Sequence, residues 1–219
     1  MSAEMPNLNA DQEHLWDRKH SKGEHARRGH NPFAEKVRDY FPEEGKVLDI
    51  GCGVGMDASY LAQSGYDVLA TDISSEVITQ NEVYFRQENL NFAKLDASQH
   101  PLPFEDNAFD AVYSHLALHY YDDETTHALF AEIHRILKDG GIVAFACKSV
   151  DDPNYGVGDE IEKDMFNAKG HLRHFFSIDY VKELLQDKFV IELLEDRQEE
   201  YNDTRSAFVW CVAKKRTEQ

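Results

Sequence analysis

The run Val47-Leu48-Asp49-Ile50-Gly51-Cys52-Gly53-Val54-Gly55 decides the fold. Aliphatic residues suited to a buried strand give way to glycines at alternate positions, and Met56-Asp57-Ala58-Ser59-Tyr60-Leu61-Ala62 resumes with helical spacing. This predicts a strand, a tight turn and a helix start. Glycine lacks a Cβ and a helix N-terminus offers free N–H groups, so such a turn lets a polar ligand approach the backbone. A dinucleotide fingerprint of the form Gly-x-Gly-x-x-Gly would need glycine where this chain has Met56.

Outward from the turn, strands and helices alternate. Strands are expected at 46–50, 67–71, 91–95, 109–114 and 142–148. Helices are expected at 55–63, from Ser74 as cap to 87, and at 124–137. The alternation predicts an α/β fold, a parallel sheet with helices on both faces. A Ser177-capped helix to 185 then precedes strands at 189–194 and 207–213, joined by a turn at Tyr201-Asn202-Asp203, which implies an antiparallel hairpin at the sheet edge. The glycine-bearing connection 150–170 is expected to be a loop, including Asp152-Pro153-Asn154-Tyr155, with one short helix at 160–165. Upstream, residues 1 to about 10 read as disordered, 11–22 as a helix carrying Trp16, and Asn31-Pro32 as the start of a second helix.

Composition narrows the function. The 41 acidic residues outnumber the 23 basic ones, and a formal net charge of −18 disfavours nucleic acid and anionic membrane surfaces as partners. Cys52, Cys147 and Cys211 are widely spaced, without a disulfide framework or zinc spacing. Neither a secretory signal nor a membrane-spanning run is evident. These features suggest a soluble cytoplasmic protein, a monomer or homodimer.

Ligands of open α/β sheets bind beyond the carboxyl ends of the strands, where strand order reverses. Those ends carry Asp49 with its glycine turn, Asp72, Asp96, and Ser114-His115. Three carboxylates beside a glycine turn favour a ligand with hydroxyls and amines over a phosphate. Each acid also has a local role open to it: Asp72 competes with Ser74 to cap a helix, and Asp96 can cap a turn with Ser98. His115 and His119 stand four apart, and without a third ligand no metal is expected.

Five features in register carry a resemblance: the segment from Asp49 to Gly55, Asp72, Asp96, Phe109-Asp110-Ala111-Val112, and Leu137-Lys138-Asp139-Gly140-Gly141. Together they resemble the class I methyltransferases that use S-adenosylmethionine. The resemblance implies a Rossmann-like three-layer sandwich whose seven-stranded, mostly parallel sheet has its last strand antiparallel. It implies a cofactor site formed by Asp49, Gly51, Cys52, Gly53, Gly55, Asp72, Ile73, Asp96, Ala97, Ser114 and His115. In it the glycines run beneath the methionine moiety, Asp72 holds the ribose and Asp96 the adenine amine. Trp16-Asp17, Lys22-Gly23 and Asn31-Pro32-Phe33 resemble the entry segment of tellurite-resistance and thiopurine methyltransferases. That second resemblance implies a lid or extension over 1–30 ahead of a single domain over 31–219, with Trp16 near the transferred methyl.

The acceptor is expected to be a small molecule with an O, N, S or heavier chalcogen nucleophile. His119 is the candidate general base, with His115 beside it. Trp16, His119, Tyr120, Arg173 and His174 are candidate substrate contacts. The alternatives are an NAD-dependent oxidoreductase and a catalytically silent fold that binds a partner.

Overall fold

The computed structural model describes residues 8–22, 29–201 and 204–217. Residues 1–7, Gly23, and Asn202 and Asp203 of the expected hairpin turn lie outside the described residues, whereas 8–10, expected to be disordered with the residues before them, already belong to the first helix. Two helices precede the sheet, α1 (Leu8–Ser21) and α2 (Pro32–Val37). Then β1 (Lys46–Ile50), α3 (Met56–Gln63), β2 (Asp67–Asp72), α4 (Ser75–Tyr84), β3 (Leu90–Lys94) and β4 (Phe109–His115) alternate. A 3-10 turn over Leu118–Tyr120, α5 (Asp123–Ile136) and β5 (Leu137–Lys148) complete the parallel part of the chain.

Serine and aspartate start these helices as their short oxygens allow. Ser74 Oγ accepts from Val77 N, Asp122 from Thr125 N, and Ser177 from Tyr180 N. The last begins α6 (Ile178–Leu185), reached after β6 (Asp159–Glu162), β7 (Met165–Ala168) and β8 (His171–His174); β9 (Phe189–Tyr201) and β10 (Thr204–Lys215) end the described fold.

The large sheet runs β3-β2-β1-β4-β5-β10-β9. β1 to β5 pair in parallel, and β10 is antiparallel to both β5 and β9. Successive strand residues face opposite sides, and each side has its own core. Leu48, Ile50, Val112, Val143 and Phe145 pack with Leu129, Ile133 and Val181 from α5 and α6. Val47, Ala111, Tyr113, Ala144, Phe208 and Trp210 pack with Phe33, Ala58 and Leu61 from α2 and α3. Strand order reverses between β1 and β4, which opens a crevice at their carboxyl ends.

The connection after β5 departs from expectation. The short helix expected at 160–165 is absent, and β6, β7 and β8 form a separate antiparallel sheet. Asp164, Lys169 and Gly170 have φ of 61°, 57° and 83°. These left-handed residues make two-residue hairpin turns and stop a helix from propagating. The stretch 170–176 contains β8. No helix among the described residues is long and apolar enough to cross a membrane.

Candidate functional site

The glycine turn is built around two neighbours. Gly51 N and Cys52 N both donate to Thr71 O at 2.8 Å, which ties the end of β1 to β2. Gly51 has φ of 77°, and a Cβ there would overlap the Cβ of Ala117; only glycine fits both demands. Gly53 N donates to Asp72 Oδ2 at 2.9 Å, and Ser74 N donates to Asp72 Oδ1 at 2.9 Å. Asn81 Nδ2 then donates to Gly53 O at 2.8 Å, so α4 grips the turn from outside.

A cavity of about 610 Å³ opens above this turn, within the range of about 300–1,000 Å³ usual for small-molecule sites. Asp49 lines it, is buried, and has an Oδ2 with no hydrogen-bond partner among the described residues. Burial, with Asp57 and Asp72 nearby, pushes its carboxyl well above the ordinary aspartate range. Burial also raises Asp72, against the lowering effect of the N–H groups of Ser74 and Gly53.

Asp57, in the first turn of α3, is a third buried acid on the wall. It accepts from Asn31 N at 2.7 Å, from Asn31 Nδ2, and from Tyr113 Oη at 2.8 Å. Asn31 thus caps no helix by its side chain; it anchors α2 to α3.

The opposite wall is aromatic and basic. Trp16 on α1 stands 5.1 Å from Tyr120 and 6.0 Å from His171, ring centre to ring centre, and Tyr120 is 5.4 Å from His171. Lys19, Lys148 and Arg173 line the same end. Asp17 ties α1 down by accepting from Ser74 Oγ at 2.6 Å and from Glu76 N at 3.3 Å.

His119 is buried, and its Nδ1 accepts from Lys148 N at 3.4 Å. That bond requires the neutral tautomer with its proton on Nε2. Burial first, then Arg173 and Lys148, hold the imidazole well below its ordinary pKa. The ring facing the cavity is therefore a neutral hydrogen-bond donor, which is poorly suited to the general-base role expected of it. Burial likewise lowers His115.

Of the residues singled out from sequence, Asp49, Gly51, Cys52, Gly53, Asp72, Ile73, Ala97, His115, Trp16, His119, Tyr120 and Arg173 meet on the cavity wall. Four stand off it. Gly55 packs under Phe85, Asn81 and Phe92. Ser114 Oγ donates to Ile50 O at 2.8 Å. Asp96 is turned into its own loop, accepting from Ser98 N at 3.0 Å and from Ser98 Oγ at 2.6 Å. His174 lies on the far face of β8, 4.8 Å from the Tyr180 ring and 5.0 Å from the Phe176 ring. Asp57, Tyr113 and Lys148 are cavity residues that sequence reasoning missed. Lys148 pairs with Asp152 at 2.8 Å, both nearly buried, so the stretch read as a plain loop is pinned from within.

Comparison with known proteins follows this geometry. Residues 48–145 match the model of a methyltransferase domain. The malonyl-[acyl-carrier protein] O-methyltransferase of Pectobacterium atrosepticum is 35% identical over 101 residues, 46% of this chain and 38% of that protein. An uncharacterized methyltransferase of Synechocystis is 34% identical over 99 residues, 45% of this chain and 45% of that protein. The match thus spans less than half the length of either relative. Among solved structures, 1,6-didemethyltoxoflavin-N1-methyltransferase of Burkholderia thailandensis, with bound 1,6-didemethyltoxoflavin and S-adenosylhomocysteine, is similar at a TM-score of 0.76. Its identity is 18%, covering 99% of this chain and 94% of that one.

Proposed function

We propose that this chain, a class I S-adenosylmethionine-dependent methyltransferase by its fold and by the match over residues 48–145, methylates a small-molecule O, N, S or chalcogen nucleophile in the cavity above the glycine turn. Asp49 carries the reading: a buried carboxylate oxygen without a partner on a cavity wall calls for a cationic group opposite it. The cofactor brings an ammonium and a sulfonium, and when bound it supplies an electrophilic methyl group.

In this reading Asp49 holds the ammonium and the turn from Gly51 to Gly53 supports the methionine moiety. Asp72 keeps lone pairs beyond those used by Gly53 N and Ser74 N, and these suit ribose hydroxyls. Ile73, Leu95 and Ala97 offer an apolar bed for the base. Asp96 spends Oδ1 on Ser98 N and Oγ and keeps lone pairs on Oδ2, which suit an adenine amine. His115, His119 and Tyr120 line the acceptor side, with His119 orienting through its Nε2 proton rather than removing one. In-line transfer depends chiefly on alignment, which can supply about 7–11 kcal/mol of a barrier.

Residues 1–30 serve as a lid in the same reading, supported by the contacts of Trp16 and Asp17 with both sides of the crevice. A cytoplasmic location fits three free cysteines, and the net charge of −18 argues against a nucleic-acid acceptor. Calorimetric titration with S-adenosylhomocysteine and with NAD tests the cofactor. Binding of the first and not the second is expected, and the reverse overturns the proposal. Release of S-adenosylhomocysteine from a panel of thiols, phenols, amines and chalcogen oxyanions tests the acceptor class.

A further inference from the structure

The cavity has two electrostatic halves. Asp49, Asp57 and Asp72 line the glycine-turn half, and Lys19, Lys148 and Arg173 line the other. In a chain of formal net charge −18, this gathering of cations is a local inversion. Lys148 has its counter-ion in Asp152 at 2.8 Å. Arg173 has none: among the described residues it enters no ion pair, and its Nε is buried without a hydrogen-bond partner. His171 beside it also has a buried nitrogen, Nε2, with no partner.

Burial, with the Arg173 charge adding to it, lowers the pKa of His119, of Lys148, and of His171, the last to about 4. Neutral histidines around a guanidinium leave it the centre of positive potential at neutral pH. Strand alternation fixes its direction, because His171 and Arg173 share the cavity face of β8 while Leu172 and His174 are buried on the other.

We propose that the methyl acceptor is an anion, carrying a carboxylate or phosphate group that Arg173 binds. This inference rests on the methyltransferase reading above. A guanidinium matches both oxyanions through paired N–H donors, which a lone ammonium does not. Trp16, Tyr120 and His171, packed 5.1 to 6.0 Å apart, give the acceptor's body an aromatic surface next to that anchor. Opposite charges at the two ends also keep the ligands apart: a cationic cofactor is repelled from the Arg173 end, and an anionic acceptor from Asp49.

The test uses protein saturated with S-adenosylhomocysteine and three probes of one shape: benzoate, phenyl phosphate and benzamide. Calorimetry or ligand-observed NMR should find at least one anion bound about tenfold or more tightly than benzamide. Which anion leads identifies the group. In Arg173→Gln the preference should fall to within about twofold, with Arg173→Lys intermediate, while affinity for S-adenosylhomocysteine is kept. Benzamide binding as tightly as both anions, a preference unchanged in Arg173→Gln, or no anion binding to the loaded protein would overturn the inference and leave the methyltransferase reading standing. Failure to bind S-adenosylhomocysteine at all would sink that reading and this inference with it.

Discussion

Asp72 Oδ2, at the end of β2, accepts the backbone N–H of Gly53 at 2.9 Å, so the second strand holds the turn that follows the first. Replacing Asp72 with alanine strands that donor and the Ser74 N–H. An unmet buried hydrogen-bonding group costs about 1–3 kcal/mol. Asp72→Ala should therefore lower stability by about that amount and weaken S-adenosylhomocysteine binding by about tenfold or more. Asp72→Asn, which keeps an acceptor for one N–H, should retain more of the stability. Urea unfolding and calorimetric titration measure the two effects separately.

Asp49 sets a pH dependence. Its pKa in the fold lies well above the ordinary 3.8, so between those two values the folded chain binds more protons than the unfolded one. Stability then falls as pH rises through that window. As pH rises above the ordinary aspartate pKa, the melting temperature of the unliganded protein should drop more steeply than that of Asp49→Asn, which cannot ionise. A ligand ammonium opposite Asp49 removes the penalty, so S-adenosylhomocysteine should stabilise more at the upper end. Parallel curves for protein and variant would contradict this account.

Two glycines of the turn should respond differently to alanine. Gly53 has φ of 50° with open space where a Cβ would go, whereas Gly51 has φ of 77° and the Ala117 Cβ in the way. Gly53→Ala should cost about 1–2 kcal/mol, the left-handed backbone penalty alone. Gly51→Ala should add about 1–3 kcal/mol of overpacking. Denaturant midpoints rank the pair, and equal costs would mean that Ala117 yields freely.

Lys148 and Asp152 form a buried pair that also holds the Ala207 N–H, on Asp152 Oδ2 at 3.0 Å. Asp152→Ala leaves a buried ammonium uncompensated, at a cost of about 3–5 kcal/mol. The double replacement Lys148→Met with Asp152→Leu should recover part of that loss. Thermal unfolding of the single and double variants checks the ordering.

Much of the fold was legible because its signals are local. A five-residue aliphatic strand ending in alternate glycines, and acids at the ends of the next two strands, needed no tertiary information. The second sheet was not legible. Its strands are four residues each, too short for a period of two to declare itself, and Gly156, Gly158 and Gly170 read as loop. Without the alternation of β8, nothing in the sequence separated Arg173, facing the cavity, from His174, facing away. Asp57 went unnoticed because an acid in a helix's first turn is already explained by the helix dipole; its partners Asn31 and Tyr113 are 26 and 56 residues distant. Asp96 carried its own warning in Ser98, the residue that now occupies one oxygen of its carboxylate.

The order of the sheet has a consequence for how the molecule is made. β10 lies between β5 and β9 yet follows both in sequence, so while the chain emerges from the ribosome β9 has no strand to pair with. Through that interval the flank of β5 stays open, and Phe208, Val209, Trp210, Cys211 and Val212, all buried in the finished protein, are not yet there to cover it. An uncovered β edge is a template for pairing with another chain. The nascent protein is thus prone to aggregate just before synthesis of β10, and a ribosome stalled there would release a chain whose first five sheet strands are complete and whose sheet cannot close.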